Sequence, residues 1–257
     1  MPGMPGIFIL IQALIAMFKS VFALSLALLL WVAPATAQDQ RVAVSPIRVE
    51  FAQGKTTAIL TIVNDRDAAI SIQPTAVEWK QESGTDVNSP TRDLLVAPPM
   101  VEIPPNTRQT IRVALRATPA QDTEKTYRIL LREVPKTDAQ GNQTTLRFAM
   151  TFSIPVFVPA AQGLSEQRLQ AGAIWFPPSG QAPGKLAITL RNTGNAHAKI
   201  TKLAIGSETQ ASLIYVLQGS ERKFDLAWPA QPPALLAATF TTERGLVQLD
   251  IPVQRAK

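Results

Sequence analysis

Apolar and polar residues alternate along most of this chain in short runs separated by turn residues, and Thr144 to Val158, TTLRFAMTFSIPVFV, alternates most strictly. Successive side chains of a strand point to opposite faces. Leu146, Phe148, Met150, Phe152 and Ile154 therefore form one apolar ridge, with Arg147, Ala149, Thr151 and Ser153 behind it. Such a ridge suits the half-buried strand of an ordinary sandwich, and it also suits a strand that offers its ridge to a partner. Upstream, strands are expected over Arg41–Phe51, Thr57–Val63, Ala69–Lys80, Leu94–Pro99, Gln109–Leu115 and Tyr127–Val134. Pro46 confines its part of the first to an edge or a bulge. Asn64, Asp65, Arg66 and Asp67 close the second as a turn, and Trp79 is the expected core aromatic of the third. Gln81–Pro90 and Lys136–Gln143 read as polar loops, and Pro155 as the end of ladder pairing where the strand leaves for a linker.

Beyond a hinge at Pro159–Gly163, seven further strands are expected, among them Lys185–Arg191, Ala198–Ile205 and Gly245–Ile251. Asn192-Thr193-Gly194-Asn195 reads as a hairpin turn, and Trp175 and Trp228 as core aromatics. His197, just past that turn, is expected to be exposed. It is the only histidine and there is no cysteine, so no metal site can be completed around it.

A length of 257 residues suits two ordinary domains, and 21 prolines with 13 glycines suit an all-β chain rich in turns. The lack of cysteine excludes disulfides and thiol nucleophiles. Without a Gly-rich phosphate loop, a nucleophile elbow or a metal-ligand cluster, no enzyme activity, metal or cofactor is expected. The net charge is +6, but the basic residues are scattered rather than gathered in a stripe, so nucleic acid is not an expected partner.

Residues 7–18 and 21–33 are almost wholly apolar and are separated by Lys19 and Ser20. With Pro34-Ala35-Thr36-Ala37 behind them they read as a secretory signal cleaved after Ala37; Met17 could serve as the true start. A retained membrane anchor is the alternative, since the combined stretch is long enough to span a bilayer. The expected organisation is a signal peptide over 1–37, a first domain over 38–160 and a second over 161–257.

The succession VSPIRVEF, TIVND, VEWK, VAPPMVEIPPNTRQTIRV, YRILLREVPK and LRFAMTFSIPVFVP resembles the N-terminal domain of the periplasmic pilus-assembly chaperones. That resemblance implies an all-β fold of two immunoglobulin-like β-sandwich domains in a boomerang arrangement, working in the periplasm without stable membrane insertion after signal cleavage. It also implies the partners, pilus (fimbrial) subunits and an outer-membrane usher. A subunit of this kind lacks its last strand, and the chaperone lends one by donor-strand complementation. Here the donor side chains would be Leu146, Phe148, Met150 and Phe152. At about 1.5 to 3 kcal/mol for each large side chain buried, four give a gross gain on the order of 6 to 12 kcal/mol before association costs.

The resemblance further implies a basic pair that holds the subunit's C-terminal carboxylate. Arg48 matches the family's arginine. Pro155 stands where the family commonly has a lysine, and Arg128 is the candidate substitute. This departure, a short loop before the donor strand and the lack of cysteine point to the archaic or spore-coat-like branch. The alternative function is an exported structural pilus subunit or adhesin, which should carry its alternating strand at the N-terminus rather than mid-chain.

Overall fold

A computed structural model describes residues 41–117, 120–135, 149–180, 183–206 and 208–256. The signal peptide, the Lys136–Gln143 loop, Leu146 and Phe148 lie outside the described residues. Within them the regular structure is entirely β. The first sandwich comprises β1 (Val42–Ser45), β2 (Val49–Glu50), β3 (Thr57–Asn64), β4 (Ile70–Glu82), β5 (Thr85–Pro90), β6 (Leu94–Ala97), β7 (Val101–Ile103), β8 (Thr107–Leu115), β9 (Lys125–Glu133) and β10 (Thr151–Val158). One sheet runs β1-β3-β8-β6 and the other β2-β10-β9-β4-β5, with β7 also paired to β4.

The two sheets close because their alternating residues share a core. Leu60 and Ile62 of β3, and Ile111 and Val113 of β8, meet Ile70 and Ile72 of β4 and Tyr127, Ile129 and Leu131 of β9. Ile154, Val156 and Val158 of β10 join the same core, with Phe152 half-buried against it. The lower part of the apolar ridge is therefore spent on the chain's own sandwich.

Two expectations are corrected here. The single strand expected over Arg41–Phe51 is two: β1 pairs antiparallel with β3, whereas β2 pairs parallel with β10 in the opposite sheet. Pro46, which has no N–H to give to a ladder, lies where the chain changes sheet. The loop expected over Gln81–Pro90 is a hairpin, with β5 paired to β4 from Val77↔Pro90 to Glu82↔Thr85. Its turn is built on Ser83 and Gly84, both at positive φ, and the low apolar content of TDVNSP hid the strand.

The second sandwich comprises β11 (Leu169–Phe176), β12 (Lys185–Asn192), β13 (Ala198–Ile205), β14 (Glu208–Val216), β15 (Glu221–Ala227), β16 (Leu235–Thr242) and β17 (Gly245–Arg255). Its strand order is β14-β13-β16-β17-β11-β12-β15. β17 pairs antiparallel with β16 as far as Pro252, then parallel with β11 from Val253 to Arg255. A proline again marks the change of sheet. Trp175 lies in this core beside Leu186, Ile188, Leu203 and Phe240, with Trp228 packed against it.

The hairpin expected at Asn192–Asn195 is not one. β12 pairs with β11 and β15, whereas β13 pairs with β14 and β16, so the turn carries the chain between sheets. Asn192 is fully buried; its Nδ2 donates to the carbonyls of Ala196 and Val216, and its Oδ1 accepts from the N–H groups of Arg168 and Gly194. Asn64 does the same work at the end of β3, donating to the carbonyls of Ala68, Ile103 and Pro104 and accepting from Arg66 N–H. Both asparagines supply the partners that the buried turn backbone would otherwise lack.

Candidate functional site: a cleft beside an open strand edge

β10 is paired with β9 along its whole length, Thr151↔Arg132 to Val158↔Lys125. Among the described residues, its other edge is taken only by β2, at Val156 and Phe157, and by the Phe51 N–H, which donates to the Phe157 carbonyl. Among the described residues, Thr151 to Pro155 leave that edge open. An open edge is a template for another strand. Pairing with β9 continues past Pro155, so this proline does not end the ladder as expected. An edge strand tolerates a residue that cannot donate.

The open edge borders a cleft of about 650 Å³ lined by Ile47, Arg48, Trp79, Arg128, Ser153 and Pro155 of the first sandwich and by Lys199, Leu213 and Tyr215 of the second. Exposed apolar side chains stand at its rim, Ile47 at 77% and Leu213 at 68%. Met150, 37% exposed, precedes the open edge. Arg48 and Arg128, paired in the sequence reading, do converge here, and Lys199 of β13 joins them.

All three cations are engaged. The Arg128 guanidinium lies 4.0 Å from the Trp79 ring centroid and 2.7 Å from Asp86. Asp86 also accepts from Arg222 of the second sandwich. Arg48 Nε is 2.9 Å from Glu50, and its Nη1 is 2.5 Å from Glu243 Oε2. Lys199 Nζ is 2.6 Å from the other oxygen of Glu243. Burial disfavours ionisation of Glu243, yet the hydrogen bonds from Lys199 and Arg48 outweigh it and hold its carboxyl below the ordinary range. Asp86 is shifted the same way: burial opposes ionisation, and the Arg128 hydrogen bond leads the groups that overcome it. The Trp79 indole N–H, buried without a well-formed hydrogen bond, also favours that carboxylate.

The floor of the cleft joins the sandwiches. Trp79, Phe157 and Leu217 form a small buried cluster with Tyr215 against it. Trp79 is thus buried as expected, but between the sandwiches rather than inside one. Gln81 donates to the Tyr215 carbonyl at 2.8 Å and accepts from the Leu217 N–H at 3.0 Å. His197 corrects a firmer expectation, being only 6% exposed. Its ring stacks on Phe157 at 3.6 Å between centroids, and its Nδ1 lies 2.9 and 3.0 Å from the two oxygens of Glu124. The carboxylate accepts, so the proton sits on Nδ1. Nothing in the local sequence signals this, because the partners come from the other sandwich.

Residues 41–162 match a family profile described as pili and flagellar-assembly chaperone, PapD N-terminal domain. The first sandwich belongs to this chaperone-domain family. Solved structures share the two-sandwich fold. One is the CsuC–CsuE chaperone–tip adhesion subunit pre-assembly complex from the archaic chaperone-usher Csu pili of Acinetobacter baumannii, with 19% identity, a TM-score of 0.61, and coverage of 84% of this chain and 100% of that one. Others are the Salmonella enterica SafA pilin in complex with the SafB chaperone, with 16% identity, a TM-score of 0.56 and coverage of 82% and 96%, and the E. coli chaperone DraB, with 16%, 0.55, 82% and 96%. No curated protein matches the chain by sequence.

In this protein Glu50, His197 and Glu243 each bring one ligand atom within 4.8 Å of the others. Both carboxylates are already neutralised by Arg48 and Lys199, and Glu124 holds the histidine Nδ1.

The depressed carboxylates make the junction acid-sensitive. A folded carboxyl held below its unfolded value stabilises fully above that value, 3.8 for Asp86 and 4.5 for Glu243. The unfolded chain binds more protons as pH falls, so this stability is lost as pH drops through the lower folded values. The urea unfolding midpoint is expected to fall between pH 5 and pH 3, and to fall less in Asp86→Asn, which has no charge to lose. An equal fall in both proteins would remove Asp86 from the account.

Proposed function

We propose that this protein is a periplasmic chaperone that captures pilus subunits by donor-strand complementation and delivers them to an outer-membrane usher. The observation that carries this reading is the one-sided pairing of β10, whose free edge from Thr151 to Pro155 borders a cleft carrying Arg48 and Arg128. A subunit strand that pairs with that edge satisfies its own backbone groups, while Leu146, Phe148, Met150 and Phe152 supply the apolar side chains its core lacks. Phe152 contributes only the part of its ring that its own sandwich leaves open.

Arg48 and Arg128 anchor the C-terminal carboxylate of the captured chain and so set the register of pairing. The mature protein begins near Gln38, and the linker near residue 160 divides the two sandwiches. Pro155, the lack of cysteine and the likeness to the Csu chaperone support membership of the archaic branch. An exported subunit or adhesin fits less well, since the alternating strand lies mid-chain and β17 completes the second sandwich.

Arg48→Ala is expected to weaken capture about tenfold, the worth of one charge-assisted hydrogen bond to a carboxylate. The measurement is a pull-down titration with a purified pilus subunit. Unchanged affinity would return Arg48 to a purely structural role.

A further inference from the structure

The anchor already holds a carboxylate. Glu243 lies in the turn between β16 and β17, and its two oxygens are divided between Arg48 of the first sandwich, 195 residues away, and Lys199 of β13. A chain-terminal carboxylate has the same two oxygens and the same single charge. All three side chains keep some contact with water, at 24% exposure for Arg48, 36% for Glu243 and 19% for Lys199, so the grouping is open to exchange. Arg48 keeps its orientation without Glu243, because its Nε is held separately by Glu50.

We propose that Glu243 is a resident carboxylate which fills the anchor of the free chaperone, and that the C-terminal carboxylate of a captured chain displaces it from Arg48 and Lys199. Lys199 then serves as the cation that Pro155 cannot provide, supplied by the second sandwich instead of by the donor strand. This rests on the reading of the cleft as a carboxylate anchor. The consequences follow from charge balance. With Glu243 in place, Arg48 and Lys199 face two carboxylates, Glu243 and Glu50, and an incoming chain must compete with Glu243 for both cations. With an uncharged amide there, Glu50 on Arg48 is the one counter-charge left to the pair, and the two cations attract the newcomer more strongly. The exchange also gives capture a mechanical consequence, since Glu243 is one of the ties between the sandwiches and is released when the anchor is filled.

The test compares a fluorescein-labelled peptide of alternating valine and threonine, ending in a free carboxylate, with its C-terminally amidated twin. The quantity read is the ratio of the two dissociation constants, amide over acid, in fluorescence polarisation. E243Q is expected to raise this ratio about fivefold to tenfold over the wild type, and K199Q to lower it towards one. Circular dichroism spectra matching the wild type show that both variants are folded. A ratio above one in the wild type that E243Q leaves unchanged or lowers overturns the resident-carboxylate proposal and spares the anchor. Equal binding of acid and amide by wild type and E243Q alike overturns the anchor reading itself, and this proposal with it.

Discussion

Aspartate at both Phe148 and Met150 is expected to abolish subunit capture, by about a thousandfold or more, while leaving the chaperone folded. Each large apolar side chain removed from a groove forfeits about 1.5 to 3 kcal/mol. Each carboxylate put in its place must also shed water with no partner waiting, at a further cost of several kcal/mol. Met150 is suited to the test because it precedes β10 and takes no part in the core of the first sandwich, to which Phe152 and Ile154 are committed. Phe148 shares its face in the sequence alternation. The measurement is co-purification with a co-expressed pilus subunit, read beside the protein's own unfolding midpoint. Normal co-purification of a folded double variant would remove β10 from the mechanism.

How far the sequence foretold this arrangement depends on how local each cause is. Strands whose alternation faces a core, such as TAILTIV in β3 and AKITKLAI in β13, were legible because period-two patterning is written in consecutive residues. β5 was not, since TDVNSP is held by backbone pairing to β4 and by the Ser83-Gly84 turn rather than by apolar side chains. Asn64 and Asn192 read as turn residues, and only the fold shows that each is buried and ties distant carbonyls together.

The cleft was legible in part. Arg48 and Arg128 came from a resemblance, not from any pattern of their own. Lys199 and Glu243 carried no signal at all, because what defines them is their distance to Arg48 across the junction. His197 illustrates the same limit. A histidine after a polar turn looks exposed until a second domain supplies Phe157 and Glu124 to cover it.

Trp79→Ala is expected to destabilise the protein by about 3 to 5 kcal/mol, the usual cost of removing a fully buried aromatic side chain, and to split its unfolding into two transitions. The indole is 1% exposed. It meets Tyr215 edge-on at 5.6 Å and Phe157 at 6.1 Å between ring centroids, and it carries the Arg128 guanidinium on its face. Each sandwich closes a core of its own, so nothing in either core requires the other to be folded; their cooperation must come from the junction. The ion pairs across that junction are partly solvated, and pairs of that kind contribute little. Removal of Arg222, which bonds to Asp86 and to the Gly84 carbonyl, should therefore cost much less than loss of the tryptophan. Scanning calorimetry distinguishes the outcomes. A single transition in Trp79→Ala, at the wild-type temperature, would mean that the polar ties and not the aromatic cluster couple the two sandwiches, and that the orientation of the cleft depends on charges which acid or a captured carboxylate can withdraw.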